Sequence, residues 1–277
     1  MSIVNLDGII AGTRPPIFFG KSVTASLSAG RPWSMWVRTG TTGIGVFDTT
    51  LNGVALSQTG GLVSGALPHY DPASGNAYLS RFHSQVGSGG SLLLLDRLWH
   101  NGGFDETLTT QQDLSSVTWP TRCPTSGLDD TPSSNGYGVL IALEVSAAGT
   151  NSDVVATLGY TNSAGANGRT SVNLVTVGTN SPIGATYFFG LQGGDVGVRS
   201  VQSLTLNVSW GAGCDVNLVA YRVLTVLETT ASSIGNAVDA ITGGFPRLYN
   251  GTTPWLVFVP NGAFSGQVIG SIVEAHG

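Results

Sequence analysis

The chain has 277 residues, of which 10% are charged, 41% are hydrophobic and 40 are glycine, and its net charge is −5. That balance excludes recognition of a nucleic-acid backbone, which needs clustered Lys and Arg, and no apolar run approaches the ~18 residues of a membrane span. Two cysteines, Cys123 and Cys214, without a CxxC pair signal neither a disulfide framework nor a zinc site, and no cofactor is implied.

The opening residues Met1-Ser2-Ile3-Val4 lack a basic segment followed by an apolar run, so no cleaved secretion signal is expected and synthesis in a cytoplasm follows. Residues 1–45 read differently from the rest. Pro15-Pro16 removes two backbone donors and enforces extended geometry ahead of Ile17-Phe18-Phe19, and Arg31-Pro32-Trp33-Ser34-Met35-Trp36 follows. This stretch is read as an extended arm reaching onto a neighbour, or else as a first strand and loop of the same domain; residues 46–277 form the body. The arm supplies the candidate interface residues Arg14, Pro15, Pro16, Ile17, Phe18, Phe19, Trp33 and Trp36.

Asn52-Gly53 is expected to close a hairpin between Val46-Phe47 and residues 54–56. Gly87-Ser88-Gly89-Gly90 forms a turn into 92–95, a continuous apolar run that predicts a strand buried on both faces. Past a loop at 120–138, strands are predicted at 139–145, 154–160, 170–177, 186–189, 201–210, 216–227, 255–259 and 268–273, with Asn, Gly, Ser and Pro clusters between them. Alternation is visible where Leu204, Leu206 and Val208 share one face and Thr205, Asn207 and Ser209 the other. Ser232 or Ser233 is expected to cap a helix over 234–241, ended by Gly243-Gly244. The fold class is therefore all-β: an antiparallel β-sandwich or jelly-roll-like body with an extended N-terminal arm and one short helix.

Catalytic signatures are missing. Gly61-Leu62-Val63-Ser64-Gly65 has the wrong spacing for a nucleophile elbow, and Lys21 lacks the glycine framework of a phosphate loop. His69 with Asp71, and Asp96 with His100, are the nearest approaches to paired metal ligands, and Asp129-Asp130 sits in an oxygen-rich loop better read as a solvated turn. No metal site and no enzyme is expected. Trp99 and Trp119 lie at loop edges and are the candidates for a carbohydrate platform, with core packing as the alternative reading.

The surface is wetted by Ser, Thr, Asn and glycine, and ten of the eleven basic residues are Arg, which desolvates at interfaces more readily than Lys. Positive mean hydropathy without a membrane span predicts assembly through the chain's own surfaces, as a trimer or dimer. Residues 31–36, the segment LLLLDRLWHNGG at 92–103 and the segment LGYTNSAGANGRT at 158–170 resemble those of tailed-bacteriophage virion structural proteins. The resemblance implies a capsid decoration or cement-like protein. Its partner would be the major capsid protein or another virion protein, and its place the virion after synthesis in the host cytoplasm. The alternative it leaves is a neck, tail or fibre component carrying a receptor- or carbohydrate-binding β module.

Overall fold

The computed structural model describes residues 6–114, 119–149, 154–172, 175–177, 182–230, 234–244 and 246–277. About half of the described residues are strand and 4% helix, as the all-β reading requires. The principal elements are α1 (Leu6–Gly12), β1 (Ile17–Leu27), β2 (Ala77–Val86), β3 (Gly90–Asn101), β4 (Val139–Ala147), β5 (Val154–Asn162), β6 (Val198–Leu206), β7 (Asp215–Thr229), β8 (Gly235–Asp239), α2 (Ala240–Gly243), β9 (Pro254–Pro260) and β10 (Phe264–His276). They belong to two compact units. One comprises Met1–Val46, Ser57–Asp96 and Val223–Gly277, the other Phe47–Leu56 and Arg97–Arg222.

In the first unit a sheet runs β8, β2, β10, β1 and the short strand Thr39–Gly40. β1 and β10 are antiparallel, with Ile17 opposite Ile272 and Lys21 opposite Val268, so the stretch read as an arm is laid into this sheet from Ile17 onward. Alternation fixes its faces: Phe19, Lys21 and Val23 are buried while Phe18, Gly20 and Ser22 are not. Lys21 is held inside by donating to the Gly43 carbonyl at 2.9 Å, and burial lowers its pKa to about 8. β9 pairs with the first part of β3, Leu256 opposite Leu94, and with Trp33–Ser34. Leu92, Leu94, Trp255 and Phe258 are buried along these strands. Burying each such aliphatic or phenyl side chain contributes about 1.5–3 kcal/mol.

In the second unit β5 lies between β6 and the short strands Arg169–Thr170 and Val175–Val177, and Gln112–Asp113 flanks β6. β4 pairs with residues 215–222 of β7, Leu143 opposite Leu218, and with Thr186–Phe188. On β6 Leu204 and Leu206 are buried and Thr205 is not, which is the predicted alternation; the strand stops there and Val208 lies exposed.

Two local expectations are corrected. Most of the helix expected at 234–241 is β8, paired with β2 at Asn236–Ser84 and Val238–Phe82, because eight residues with an ambiguous period gain more from the free edge of a sheet. Only α2 follows it, capped by Asp239, whose carboxylate accepts from the N–H groups of Ile241 and Thr242; Ser232 and Ser233 lie outside the described residues. Asn52-Gly53 does turn, with Gly53 at φ 65°, yet residues 54–55 pair with Trp99 and His100 instead of 46–47. The seven-residue α1 was not expected at all.

Candidate functional site

The start of β1 forms one wall of an apolar groove of about 530 Å³ in the first unit. The Arg14 N–H donates to the Glu274 carbonyl at 2.8 Å, which pins the chain beside β10. Pro15 and Pro16 then carry the backbone past without donors of their own. Alternation turns Phe18 outward, where 73% of it is exposed, and Tyr70 at 56% and Pro68 complete the groove with Glu274 and His276 at its polar end. Phe19 points the other way and stacks on Phe82 with ring centroids 6.1 Å apart.

At the polar end, buried His69 faces Glu274 through Nδ1 at 2.8 Å and Asp71 through Nε2 at 3.2 Å. His276 Nε2 approaches the second Glu274 oxygen at 3.0 Å. Asp71 is itself fixed by the Thr59 hydroxyl at 2.9 Å and the Gly251 N–H at 2.6 Å. Burial works to lower the His69 pKa, but the Glu274 hydrogen bond and the charges of Glu274, Asp71 and Asp96 outweigh it, and the net shift is upward from 6.5. A raised folded-state pKa gives stability that is complete below the unfolded value and lost as pH rises through the folded one. Glu106 in the second unit acts in the same direction, since burial raises its carboxyl from 4.5 to about 7. The melting midpoint is therefore expected to fall between about pH 5 and about pH 7.5. His69→Gln should flatten part of that slope; a wild-type midpoint that is level or rising across the window would refute the assignment.

The candidate tryptophans are placed elsewhere. Trp33, Trp36, Trp99 and Trp119 are each at most 4% exposed. Their indole N–H groups donate to the carbonyls of Ser28, Val46, Asn52 and Val198 respectively. Trp99 and Trp119 meet edge to face at 5.4 Å. Their large apolar rings fill the interior of this chain and present no face to a partner or a sugar, and Phe19 shares that fate. Arg14, Pro15, Pro16, Ile17 and Phe18 do come together at the groove. Pro68, Tyr70, Glu274 and His276 escaped the sequence reading; the run Pro68-His69-Tyr70-Asp71-Pro72 was the only local signal, and its meeting with Glu274 is not local.

The other candidates have structural partners. Asp96 accepts from the Thr253 N–H at 2.9 Å, while His100 Nδ1 lies 2.8 Å from an Arg97 nitrogen. Asp129 accepts from the Thr131 N–H in an exposed turn. Cys123 and Cys214 are free and buried. Among the described residues no group of three or more His, Cys, Asp or Glu side chains is arranged to hold a metal, and no helix is long and apolar enough to cross a membrane.

No family model matches the chain, and no curated protein matches its sequence. Among solved structures it is similar to the VP2 subviral particle of infectious bursal disease virus, at a TM-score of 0.21 and 10% identity over 95% of this chain and 81% of that one. The structure of the Gt strain of that virus gives 0.18 and 11%, covering 95% and 82%, and T=1 particles derived from it give 0.18 and 11%, covering 95% and 78%. These neighbours come from a virus that is not a tailed phage. Scores this low leave the likeness weak, and neither fold nor function is carried over from it.

Proposed function

We propose that the protein is a non-enzymatic structural component of a virus particle, working by burying its surface against other protein. The finer reading is a decoration or cement protein of a phage head; a neck, tail or fibre component is the alternative. The observation that carries the proposal is the groove at the start of β1, where Phe18 and Tyr70 stand exposed beside a rail of three prolines. Aromatic side chains are preferred anchors at protein interfaces, and a proline-stiffened wall loses little entropy when a partner docks. On a shell of many copies, modest affinity at each contact is sufficient.

The test is a pair of substitutions. Removing residues 1–20 would also delete Phe19 and the first four residues of β1, so it would confound folding with docking. Phe18→Ser with Tyr70→Ser instead removes two exposed rings. The double variant should melt as the wild type does, while self-association by light scattering, or retention on the purified particle, weakens at least ~30-fold, the equivalent of one anchor worth about 2 kcal/mol. A wild-type chain that is strictly monomeric and absent from the particle by mass spectrometry would sink the proposal, as would a double variant that assembles normally.

A further inference from the structure

We propose that the second unit binds a carboxylate-bearing sugar in a polar groove on the outer face of the sheet formed by β5 and β6. The groove has a volume of about 250 Å³ and is lined by hydroxyl, carboxamide and guanidinium groups and by glycine. This is a surface separate from the one proposed above, and the inference does not depend on that reading.

The groove follows from strand register. Gly159 lies opposite Ser203 and Thr157 opposite Thr205, so these residues share one face while Leu158, Leu204 and Leu206 fill the core behind them. A Cβ at position 159 would overlap the Ser203 hydroxyl, and glycine there keeps the floor of the groove open. Tyr160 lies opposite Val201, which leaves Gln202 as an extra residue in β6; such a bulge re-aims a side chain, and Gln202 lines the groove.

The hydroxyls are available. Ser203 is only 8% exposed, yet its hydroxyl has no partner among the described residues, and neither have those of Thr157, Thr170 and Thr205. Hydroxyls that no protein group engages are free to exchange water for the hydroxyls of a ligand. Arg169 supplies the charge. Its Nε is buried without a partner, and its Nη2 stands 3.8 Å from Asp195, whose oxygens already accept from the Tyr160 hydroxyl at 2.7 Å and the Asn162 amide at 2.6 Å. A guanidinium so placed retains donors for bidentate capture of a carboxylate. A row of hydroxyls beside one fork of donors matches a sugar ring that carries both hydroxyl groups and a carboxylate. The volume, below the ~300–1,000 Å³ of drug-sized pockets, limits the site to about one ring.

Saturation-transfer NMR on the full chain with glucuronate, galacturonate and N-acetylneuraminate tests this, with glucose and acetate as controls. At least one acidic sugar should bind saturably and at least tenfold more tightly than glucose or acetate. Arg169→Gln should reduce its affinity about tenfold or more, to the level of glucose, and Thr205→Val should weaken both sugars, in variants whose melting matches the wild type. Ser203→Ala is a second hydroxyl deletion should Thr205→Val misfold. No saturable binding of the three acidic sugars, acetate binding as tightly as they do, or an unchanged affinity in Arg169→Gln would each overturn the proposal. The Phe18→Ser, Tyr70→Ser chain should bind the sugar normally, which separates this site from the groove on β1.

Discussion

Glu144→Gln is expected to destabilise the second unit by about 3–5 kcal/mol, the range for breaking a fully buried ion pair from one side. Arg97 on β3 and Glu144 on β4 are both inaccessible to water, with Arg97 Nη1 2.7 Å from a Glu144 oxygen. The second terminal nitrogen of Arg97 lies 2.8 Å from His100 Nδ1, and burial together with the Arg97 charge pushes the His100 pKa down to about 2. His100 is thus a neutral acceptor and offers no counter-charge. Glutamine keeps the shape of Glu144 but withdraws the charge that faces the Arg97 guanidinium in the interior. Folded domains are stable by only about 5–15 kcal/mol, so the loss should be plain in urea unfolding. Replacing both partners by apolar residues, Arg97→Met with Glu144→Leu, should recover much of it, because the desolvation cost of both charges disappears as well. A Glu144→Gln variant within 1 kcal/mol of wild type, on the ~1 kcal/mol scale of ordinary mutations, would mean that water or another group compensates Arg97.

Trp36→Ala is expected to cost the first unit about 3–5 kcal/mol, the usual penalty for emptying a large aromatic site. The ring is 1% exposed, its N–H donates to the Val46 carbonyl at 3.2 Å, and Gly45 packs so closely that a Cβ there would overlap the indole. Gly45→Ala should therefore destabilise as well, and combining the two changes should cost less than their sum, since the alanine methyl enters the space the ring vacates. The pair also separates a core role from an interface role. Loss of melting stability at unchanged self-association fits the packing seen here; unchanged melting with weakened assembly would return Trp36 to the interface.

How much of this was legible in the sequence depended on distance along the chain. Short apolar segments at even spacing, separated by turn residues, located β4, β5, β6, β7, β9 and β10, and alternation around 204–206 told which face of β6 meets the core. It failed at 234–241, where a short apolar pattern fits a helix as well as a strand and the free edge of β2 made the choice. The exposed part of the groove was half visible: the prolines and Phe18 announced themselves, while Trp33, Trp36 and Phe19 were drawn inside by partners that composition cannot reveal. Tyr70 and Glu274 reach the same groove only through tertiary pairing. The polar groove over Gly159 was hidden for a similar reason. Thr157, Gly159, Ser203 and Thr205 are unremarkable residues until the register of β5 and β6 sets them side by side.

The pairing of β1 with β10 also dictates an order of events during synthesis. All residues of the second unit, 47–56 and 97–222, have emerged before the last strand is translated, whereas the first unit lacks the strand between β2 and β1 until Phe264–His276 appears. The second unit is expected to become protease-resistant on the ribosome while β1 still lacks its long partner β10, with Phe18 and Phe19 both open to solvent. Closing so long a loop also makes the final step slow relative to local pairing. Pulse proteolysis of nascent chains stalled just before Phe264 should therefore cut within 14–30 and spare the 139–222 region; protection of both segments at that length would show that β1 has found another partner first.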